Sequence, residues 1–435
     1  MMNQTEEEQL SQQILEKLKA AGADEYECTV TNSTLTEFSC ASDRISMIRT
    51  SFNEGLSIKV VKDQKKGVFS TNVLDESNLD AAIETVMQSA ASATPDEANG
   101  VCDEPAQQSF ECGVFEPDKQ SLYTNLDHFI KQTKQDYPHI SFDSISADHL
   151  FTDVLYQNSN GTRLQSKRGL YSFNAMFMGV EEKNTSSFNS AGAVFTDPNV
   201  PFMQMAGTAQ ILDQTQKQIH TINPGKTATA DIIVSPQCMD DLLELVEGNF
   251  LSDNVLINGT SLFRDKINQP VAAPQVTIWC RPRSEQIVDG YFFTSDGYVA
   301  EDMPLIENGI LKNFTLSRYG AKRTGLQRSK NYGGCYVMQP GQTDLEEMIQ
   351  STSYGILLNR ISGGSPGVDG DLSGVMKNSF LIENGKITGA LSETMFSANL
   401  AQMLQNVRQI SKQTLCDGCF VLPWVKIGGI TVSGK

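Results

Sequence analysis

The sequence has 435 residues, a length that suits two domains better than one hydrophobic core. Its formal net charge of −18 argues against direct contact with nucleic-acid phosphates. No apolar run approaches the ~18 residues of a membrane-spanning helix, and residues 1–8 are acidic, unlike a secretory signal. We therefore expect a cytoplasmic protein with no direct contact with nucleic acid or with a membrane.

The first half of the chain alternates amphipathic helices with strand-like segments. Leu10, Ile14 and Leu18 recur at helical spacing before Gly22, which is typical of a helix that ends at a glycine. Short alternating apolar runs between the helices predict strands. We predict that residues 1–222 form an N-terminal domain of helices packed on an antiparallel sheet. Its predicted helices lie near residues 5–21, from about 77 to 90, over 117–136 and over 202–219, the last as a connecting helix.

The second half is predicted to be rich in β-structure. Ser235-Pro236 is a strong helix start, and the helix is expected to run to about residue 251. The segment Leu-Ile-Glu-Asn-Gly occurs twice, at 305–309 and 381–385, and Asn-Gly favours a two-residue hairpin turn. We therefore expect antiparallel hairpins in this half, with one further helix over 399–412. Residues 223–435 are predicted to form a β-rich C-terminal domain with hairpins and a few helices, so the fold class is α+β.

The residues alone do not reveal an active site. None of the four histidines has a second histidine three to five residues on, so no local zinc-hydrolase signature is present. Cys416 and Cys419 form the only CxxC segment, which is compatible with a plain turn, a cleft wall or redox chemistry. The glycine-rich run 362–371 lacks the Lys-Ser/Thr ending of a phosphate loop, so it is either a flexible loop or one that shapes a binding site. Glu244 and Glu247 are expected to face solvent.

A series of segments follows one another along the chain at residues 231–236, 258–263, 296–297, 304–311, 380–387, 391–393, 399–400 and 422–429. In this order the segments resemble those of the TldD/PmbA family, once called modulators of DNA gyrase. They run through most of the second half. The last of them, Leu-Pro-x-x-Lys-Ile-x-Gly, is similar to the PmbA/TldE branch of the family.

The resemblance also indicates which branch of the family the chain is similar to. TldD-type chains carry a metal-binding HExxxH motif on the helix before a Gly-Thr-Ser segment, which here is 259–261. In this sequence the two histidine positions hold Glu244 and Asn249, and the glutamate position holds Leu245. Metal hydrolysis needs histidines or equivalent ligands and a general base. The chain is therefore similar to the TldE-type partner that lacks the metal motif.

The resemblance implies a non-catalytic subunit of a peptidase that acts on extended or unfolded peptides. The expected assembly is a homodimer or a heterodimer with a TldD-type subunit, and this chain would build the dimer interface and part of the substrate chamber. No cofactor is expected in this chain, whereas the partner binds a divalent metal, taken to be zinc. Two alternatives stay open: a self-sufficient homodimeric peptidase with another site, or a regulatory protein that affects DNA gyrase. Candidate cleft-lining residues are Glu247, Gly363, Gly364, Glu393, Cys416 and Cys419.

Overall fold

A computed structural model describes residues 4–41, 44–74, 76–225 and 227–434. The first half of the chain forms one sheet with four α-helices. Its elements are α1 Gln4–Ala20, β1 Glu25–Ala41, β2 Arg44–Lys62, β3 Lys65–Thr71, α2 Glu76–Ser92, β4 Gln107–Gly113, α3 Lys119–Asp136, β5 Ile140–Asn158, β6 Arg163–Glu181, β7 Asn184–Thr185, β8 Asn189–Phe195 and α4 Thr208–Lys217. In the described residues, no helix is long and apolar enough to cross a membrane.

The first sheet has the strand order β3-β2-β1-β5-β6-β4, with β7 and β8 also paired to β6. All pairs are antiparallel except β4 with β6. Helices cover one face in two places: Ile14 of α1 packs in a core with Val30 and Ile58, and Phe129 of α3 packs in a core with Phe173. The other face of this sheet is turned toward the second half of the chain.

The second half forms a larger mixed sheet. Its elements are β9 Thr221–Ile222, β10 Thr227–Val234, α5 Pro236–Val246, a π-helical turn Glu247–Leu251, α6 Asp253–Ile257, β11 Ile278–Cys280, β12 Met303–Glu307, β13 Ile310–Leu311, α7 Arg318–Thr324, β14 Tyr336–Met338, α8 Leu345–Gln350, β15 Tyr354–Leu358, β16 Arg360–Ser362, β17 Asp371–Lys377, β18 Phe380–Glu383, β19 Lys386–Leu391, β20 Thr394–Asn399, α9 Leu400–Gln405, β21 Val407–Cys416 and β22 Val421–Ser433. The α+β fold class is confirmed.

The two copied segments form the predicted hairpins. Asn308 and Asn384 have φ angles of 51° and 50°, and the glycines after them have 78° and 76°. Positive φ at both central residues is what a type I′ turn requires. The sheet of the second half is mixed, because β10 pairs in parallel with β15 and β14 in parallel with β22. Hairpin signals report only local pairs, and these parallel pairs join distant segments.

Two predicted elements differ from the structure. The connecting helix over 202–219 is a short 3₁₀ turn, Phe202–Gln204, followed by α4. The helix predicted over 399–412 ends at Gln405, and the residues after it form β21 along β22. The spacing of Val407 and Ile410 fits either a helix or a strand, so the pairing with β22 decides that this segment is a strand. The boundary at 222/223 stays a prediction, although β9 already pairs with β19 of the second sheet.

The connection over residues 94–106 is held against the second half by charged pairs. Arg318 lies 3.8 Å from Asp103, Arg323 lies 3.0 Å from Asp96, and Arg328 lies 3.3 Å from Glu104. These three arginines therefore face carboxylates of the same chain.

Candidate functional site

The candidate site is built on α5 and the π-helical turn that continues it. Ser235 precedes α5 in extended conformation and Pro236 is its first residue, as the sequence predicted. After Val246 the helix widens, and the backbone N–H of Ser252 donates to the carbonyl of Glu247, an i to i+5 bond. Such π turns are rare and are frequent at functional sites. The helix therefore becomes irregular inside the window 244–249, which the sequence resemblance predicts to align with the family's metal motif.

The three side chains predicted to stand at the metal-motif positions point to different surroundings. Glu244 is exposed, whereas Leu245 packs against the C-terminal hydrophobic core. The side-chain amide of Asn249 donates to the carbonyl of Gly367 over 3.2 Å. Asn249 thus connects the π turn to the glycine-rich loop between β16 and β17.

Glu247 does not face solvent, contrary to the expectation from the sequence. Its carboxylate accepts hydrogen bonds from the Tyr336 hydroxyl at 2.6 Å and from the Gly334 N–H at 3.2 Å. Burial raises the pKa of Glu247 above its ordinary value, although the bonds to Tyr336 and Gly334 oppose the shift. A Cβ added at Gly333 would lie 2.0 Å from a carboxylate oxygen of Glu247 and would have to displace that side chain. The π turn brings Glu247 toward β14, which helical periodicity could not predict.

The turn 333–335, which contacts Glu247, has an unusual backbone conformation. Gly333, Gly334 and Cys335 all have positive φ, at 91°, 65° and 50°. Cysteine rarely adopts this conformation, and such residues cluster at functional sites. The Cys335 thiol is mostly buried, which raises its pKa to about 12.

The CxxC segment is a turn that lies beside α5. The Asp417 carbonyl accepts from the Val194 N–H of β8 over 2.7 Å, and the Gly418 carbonyl accepts from the Asp289 N–H over 2.8 Å. Cys416 is exposed and Cys419 is half-buried. Burial raises the pKa of both thiols, and the charges of Asp417, Asp289 and Asp240 raise that of Cys419 further. The thiols therefore lack the electropositive surroundings of reactive cysteines.

Acidic groups gather between this turn and α5. Burial, followed by the charges of Glu244, Asp417 and Asp241, raises the pKa of Asp240 to about 7. Together with Cys419 and the backbone of β8, Asp240 lines a pocket of about 270 Å³. The sequence reasoning missed Asp240 and Asp289, because only the fold brings them to the cysteine turn.

The remaining predicted site residues divide between two places. Gly363 and Gly364 lie in the loop that Asn249 contacts through Gly367. Glu393 instead forms an ion pair with Lys377, at the opposite end of β17 from this loop. Gly363 and Gly364 pack beside Gly374 and Ser373 of β17, so at a strand rise of ~3.3 Å per residue Lys377 lies roughly 10–13 Å farther along the strand. The structure thus brings Glu247, Cys419 and the glycine loop to α5 and its π turn, and leaves Glu393 outside.

The window residues do not fit the divalent metal that the family implies. Leu245 offers no donor atom, the Asn249 amide is engaged with the glycine loop, and Glu247 is held by Tyr336. Among the residues that the structure describes, no group of three or more His, Cys, Asp or Glu side chains could hold a metal ion. Whether the chain binds a metal stays a prediction for elemental analysis.

The fold and site define a two-sheet α+β protein in which an irregular helix faces a C-terminal cysteine turn. Family profiles for the PmbA/TldA metallopeptidase C-terminal domain and domain 1 match residues 227–434 and 26–90. The chain belongs to this PmbA/TldD family. A Haemophilus influenzae metalloprotease PmbA homolog is 24% identical, with 98% of this chain and 97% of that protein covered.

Two solved structures share the fold. TldE from Thermococcus kodakarensis has a TM-score of 0.86 and 19% identity, with 98% of this chain and all of that chain covered. A protein from Bacteroides thetaiotaomicron, described as a candidate modulator of DNA gyrase, has a TM-score of 0.84 and 20% identity over the full length of both chains. At these identities the likeness concerns the fold alone.

Proposed function

We propose that this chain is the non-catalytic subunit of a peptidase of its family and works with a TldD-type partner on extended or unfolded peptides. The proposal rests on the metal-ligating groups that the side chains of residues 244–249 offer. The motif positions hold Glu244, Leu245 and Asn249, and the nearby Glu247 is engaged with Tyr336 and Gly334. A metallopeptidase needs metal ligands and a base that activates water. In the proposed role this chain supplies the dimer interface and one wall of the substrate chamber.

The site's surroundings support a wall function. The cysteine turn, β8 and Asp289 meet along the face of the first sheet that is turned toward the second half. An extended peptide can be bound through backbone hydrogen bonds and pockets for alternate side chains. Binding of this kind requires no catalytic group from the present chain.

A peptidase assay tests the proposal. The purified chain is incubated with an unfolded protein substrate, alone and together with a TldD-type chain, and cleavage products are counted. We expect cleavage only in the mixture, and none with the TldD-type chain after its motif glutamate is changed to glutamine. Robust metal-dependent cleavage by this chain alone would contradict the proposal and favour the self-sufficient hydrolase, in which case Cys416→Ala and Cys419→Ala identify the thiol involved.

A second candidate is suggested by the description of the Bacteroides relative as a candidate modulator of DNA gyrase. Direct action on DNA is disfavoured by the net charge of −18 and by the pairing of Arg318, Arg323 and Arg328 with carboxylates of the same chain. A gel-retardation experiment with duplex DNA at low and high salt separates the candidates. Retardation that weakens steeply with salt would favour the gyrase role, and we expect none.

A further inference from the structure

A second cavity, of about 420 Å³, lies between the two halves of the chain. One wall is the outer face of the first sheet, with residues such as Thr29, Thr152 and Val154. The opposite wall belongs to the second half and is aromatic, with Tyr291, Phe293 and Tyr332 among its residues. The volume falls within the range of pockets that bind small ligands, which is ~300–1,000 Å³. Residues 244–249 are not among those that line this cavity.

The charged groups of the cavity are already paired. Lys59 lies 2.8 Å from Glu27, which also accepts a hydrogen bond from the Tyr156 hydroxyl over 2.7 Å. Arg168 lies 2.7 Å from Asp289. A charged ligand would gain no free partner here and would lose its hydration. The lining therefore favours an uncharged ligand.

The aromatic wall is held in place before any ligand binds. The rings of Tyr291 and Tyr332 are stacked with centroids 4.4 Å apart, and the rings of Phe292 and Phe110 with centroids 4.9 Å apart. The Tyr291 hydroxyl donates to the Gly333 carbonyl over 2.8 Å. Tyr332 nevertheless remains 45% exposed. A fixed, open aromatic surface suits a flat or branched apolar group, because little order has to be gained on binding.

Glu247, which belongs to the window 244–249, contacts the backbone turn that follows Tyr332 in this aromatic wall. Its carboxylate accepts from the Gly334 N–H, in the positive-φ turn that begins after Tyr332. The same turn receives the Tyr291 hydroxyl at Gly333. Glu247 thus holds in place the backbone turn next to Tyr332, whose ring is exposed.

We propose that this cavity binds an uncharged aromatic or branched aliphatic side chain of an extended peptide. The identity of the ligand as a peptide rests on the proposed function, whereas the preference for an uncharged apolar group rests on the cavity itself. The hydroxyls of Thr29, Thr152 and Ser295 border the cavity and can bond the peptide backbone beside the bound side chain. The chain would then select which part of a substrate lies in the chamber without reacting with it.

Binding to the full chain tests the proposal. Acetylated and amidated peptides of one Ser/Gly sequence, differing only in a central Phe, Leu, Ala, Asp or Lys, are titrated by calorimetry. We expect the Phe and Leu peptides to bind at least about tenfold tighter than the other three. Equal affinities, tighter binding of a charged peptide, or no binding at all would overturn the proposal. Acetyl-phenylalanine amide should bind more weakly than the Phe peptide, and equal binding would make the ligand a small aromatic molecule instead.

Variants place the binding in the cavity. Thr152→Trp fills the space and Tyr332→Ala removes the exposed ring, so each should weaken the Phe peptide about tenfold, whereas Tyr332→Phe should keep its affinity. Tyr123→Ala is the matched control, because Tyr123 is 40% exposed and lies outside the cavity. Thermal unfolding confirms that each variant is folded. Unchanged affinity in both Thr152→Trp and Tyr332→Ala would contradict the proposal.

Cleavage by the mixture with a TldD-type chain separates this inference from the proposed function. If the mixture cleaves the Phe and Ala peptides equally and the cavity variants have no effect, the cavity proposal fails while the subunit role stands. If the mixture is no more active than its parts, the subunit role fails, and direct binding of the Phe peptide still decides the cavity proposal.

Discussion

The Tyr336 hydroxyl donates a 2.6 Å hydrogen bond to the carboxylate of Glu247 and so ties the π turn to β14. Glu247 lies inside the window 244–249, which is predicted to align with the metal motif of TldD-type chains. Burial raises the pKa of Glu247, and the carboxylate holds the turn that carries Tyr332. The window 244–249 therefore stabilises the structure of this chain through Glu247. This contact explains how the helix can keep its irregular geometry without metal ligands.

Removing this hydroxyl should destabilise the fold. In Tyr336→Phe the buried carboxylate loses one of its donors, so the free energy of unfolding should fall by about 1.5–3 kcal/mol, as for a hydrogen bond to a charged group. Urea unfolding measures the change. Tyr123→Phe on the surface of α3 should change the stability by less than about 0.5 kcal/mol. An equally small effect at Tyr336 would show that the bond is not important for stability.

Asp240 should make the stability depend on pH. Its pKa is raised to about 7 in the folded state, from 3.8 when unperturbed, so the folded state binds the proton more tightly than the unfolded state does. The stability that Asp240 contributes in this way is fully present at a pH below its pKa in the unfolded state. It is lost as the pH rises through its pKa in the folded state. The advantage of Asp240→Asn over the wild type should therefore grow by about 1–2 kcal/mol between about pH 4 and pH 8, since several acids share the effect.

Denaturant unfolding across this pH range tests the prediction. Asp127→Asn is the control, because Asp127 is exposed and pairs only with the neighbouring Lys131. A parallel pH profile for Asp240→Asn and the wild type would show that Asp240 titrates normally.

The glycine loop offers a matched pair of substitutions. Gly363 and Gly364 have similar positive φ angles, 85° and 78°. A Cβ at Gly363 would meet nothing within 4 Å, whereas one at Gly364 would lie 1.9 Å from the Ser373 carbonyl oxygen. Gly363→Ala should cost about 1–2 kcal/mol from backbone strain, and Gly364→Ala about 1–3 kcal/mol more from the clash. Urea unfolding compares the two, and equal costs would mean that the loop shifts freely.

The connection over 94–106 should open when Asp103 is removed. Asp103 accepts a 2.6 Å hydrogen bond from the hydroxyl of the buried Tyr298. Asp103→Ala leaves this hydroxyl without its acceptor and should cost about 1–3 kcal/mol. Limited proteolysis should then cut this connection faster than in the wild type. Glu104→Ala breaks only a surface ion pair with Arg328 and should cost less than about 1 kcal/mol; an equal rate of cutting in the two variants would contradict the distinction.

Local signals in the sequence predicted local structure well. The Asn-Gly pairs at 308–309 and 384–385 form the expected hairpins, and Ser235-Pro236 starts α5. Both depend on a few neighbouring residues. The helix predicted over 399–412 is present but ends at Gln405, because β22 offers Val407 and its neighbours a strand partner that no local pattern shows.

The site was predictable only where a resemblance supplied the alignment. Glu244, Leu245 and Asn249 could be located in the window, but their surroundings could not. Glu247 was expected in solvent because a regular helix of ~3.6 residues per turn places it opposite the apolar stripe, and the π turn changes that. Asp240 and Asp289 reach Cys419 through contacts between segments more than 100 residues apart, which no spacing rule predicts.

Native mass spectrometry of the purified chain, alone and mixed with a TldD-type chain, tests the central claim most directly. It reports the subunits of each complex and the metal ions each carries. We predict a mixed complex in which bound metal follows the number of TldD-type chains and in which the present chain adds none. A chain that stays monomeric in every mixture, or that carries a stoichiometric metal ion by itself, would contradict the account.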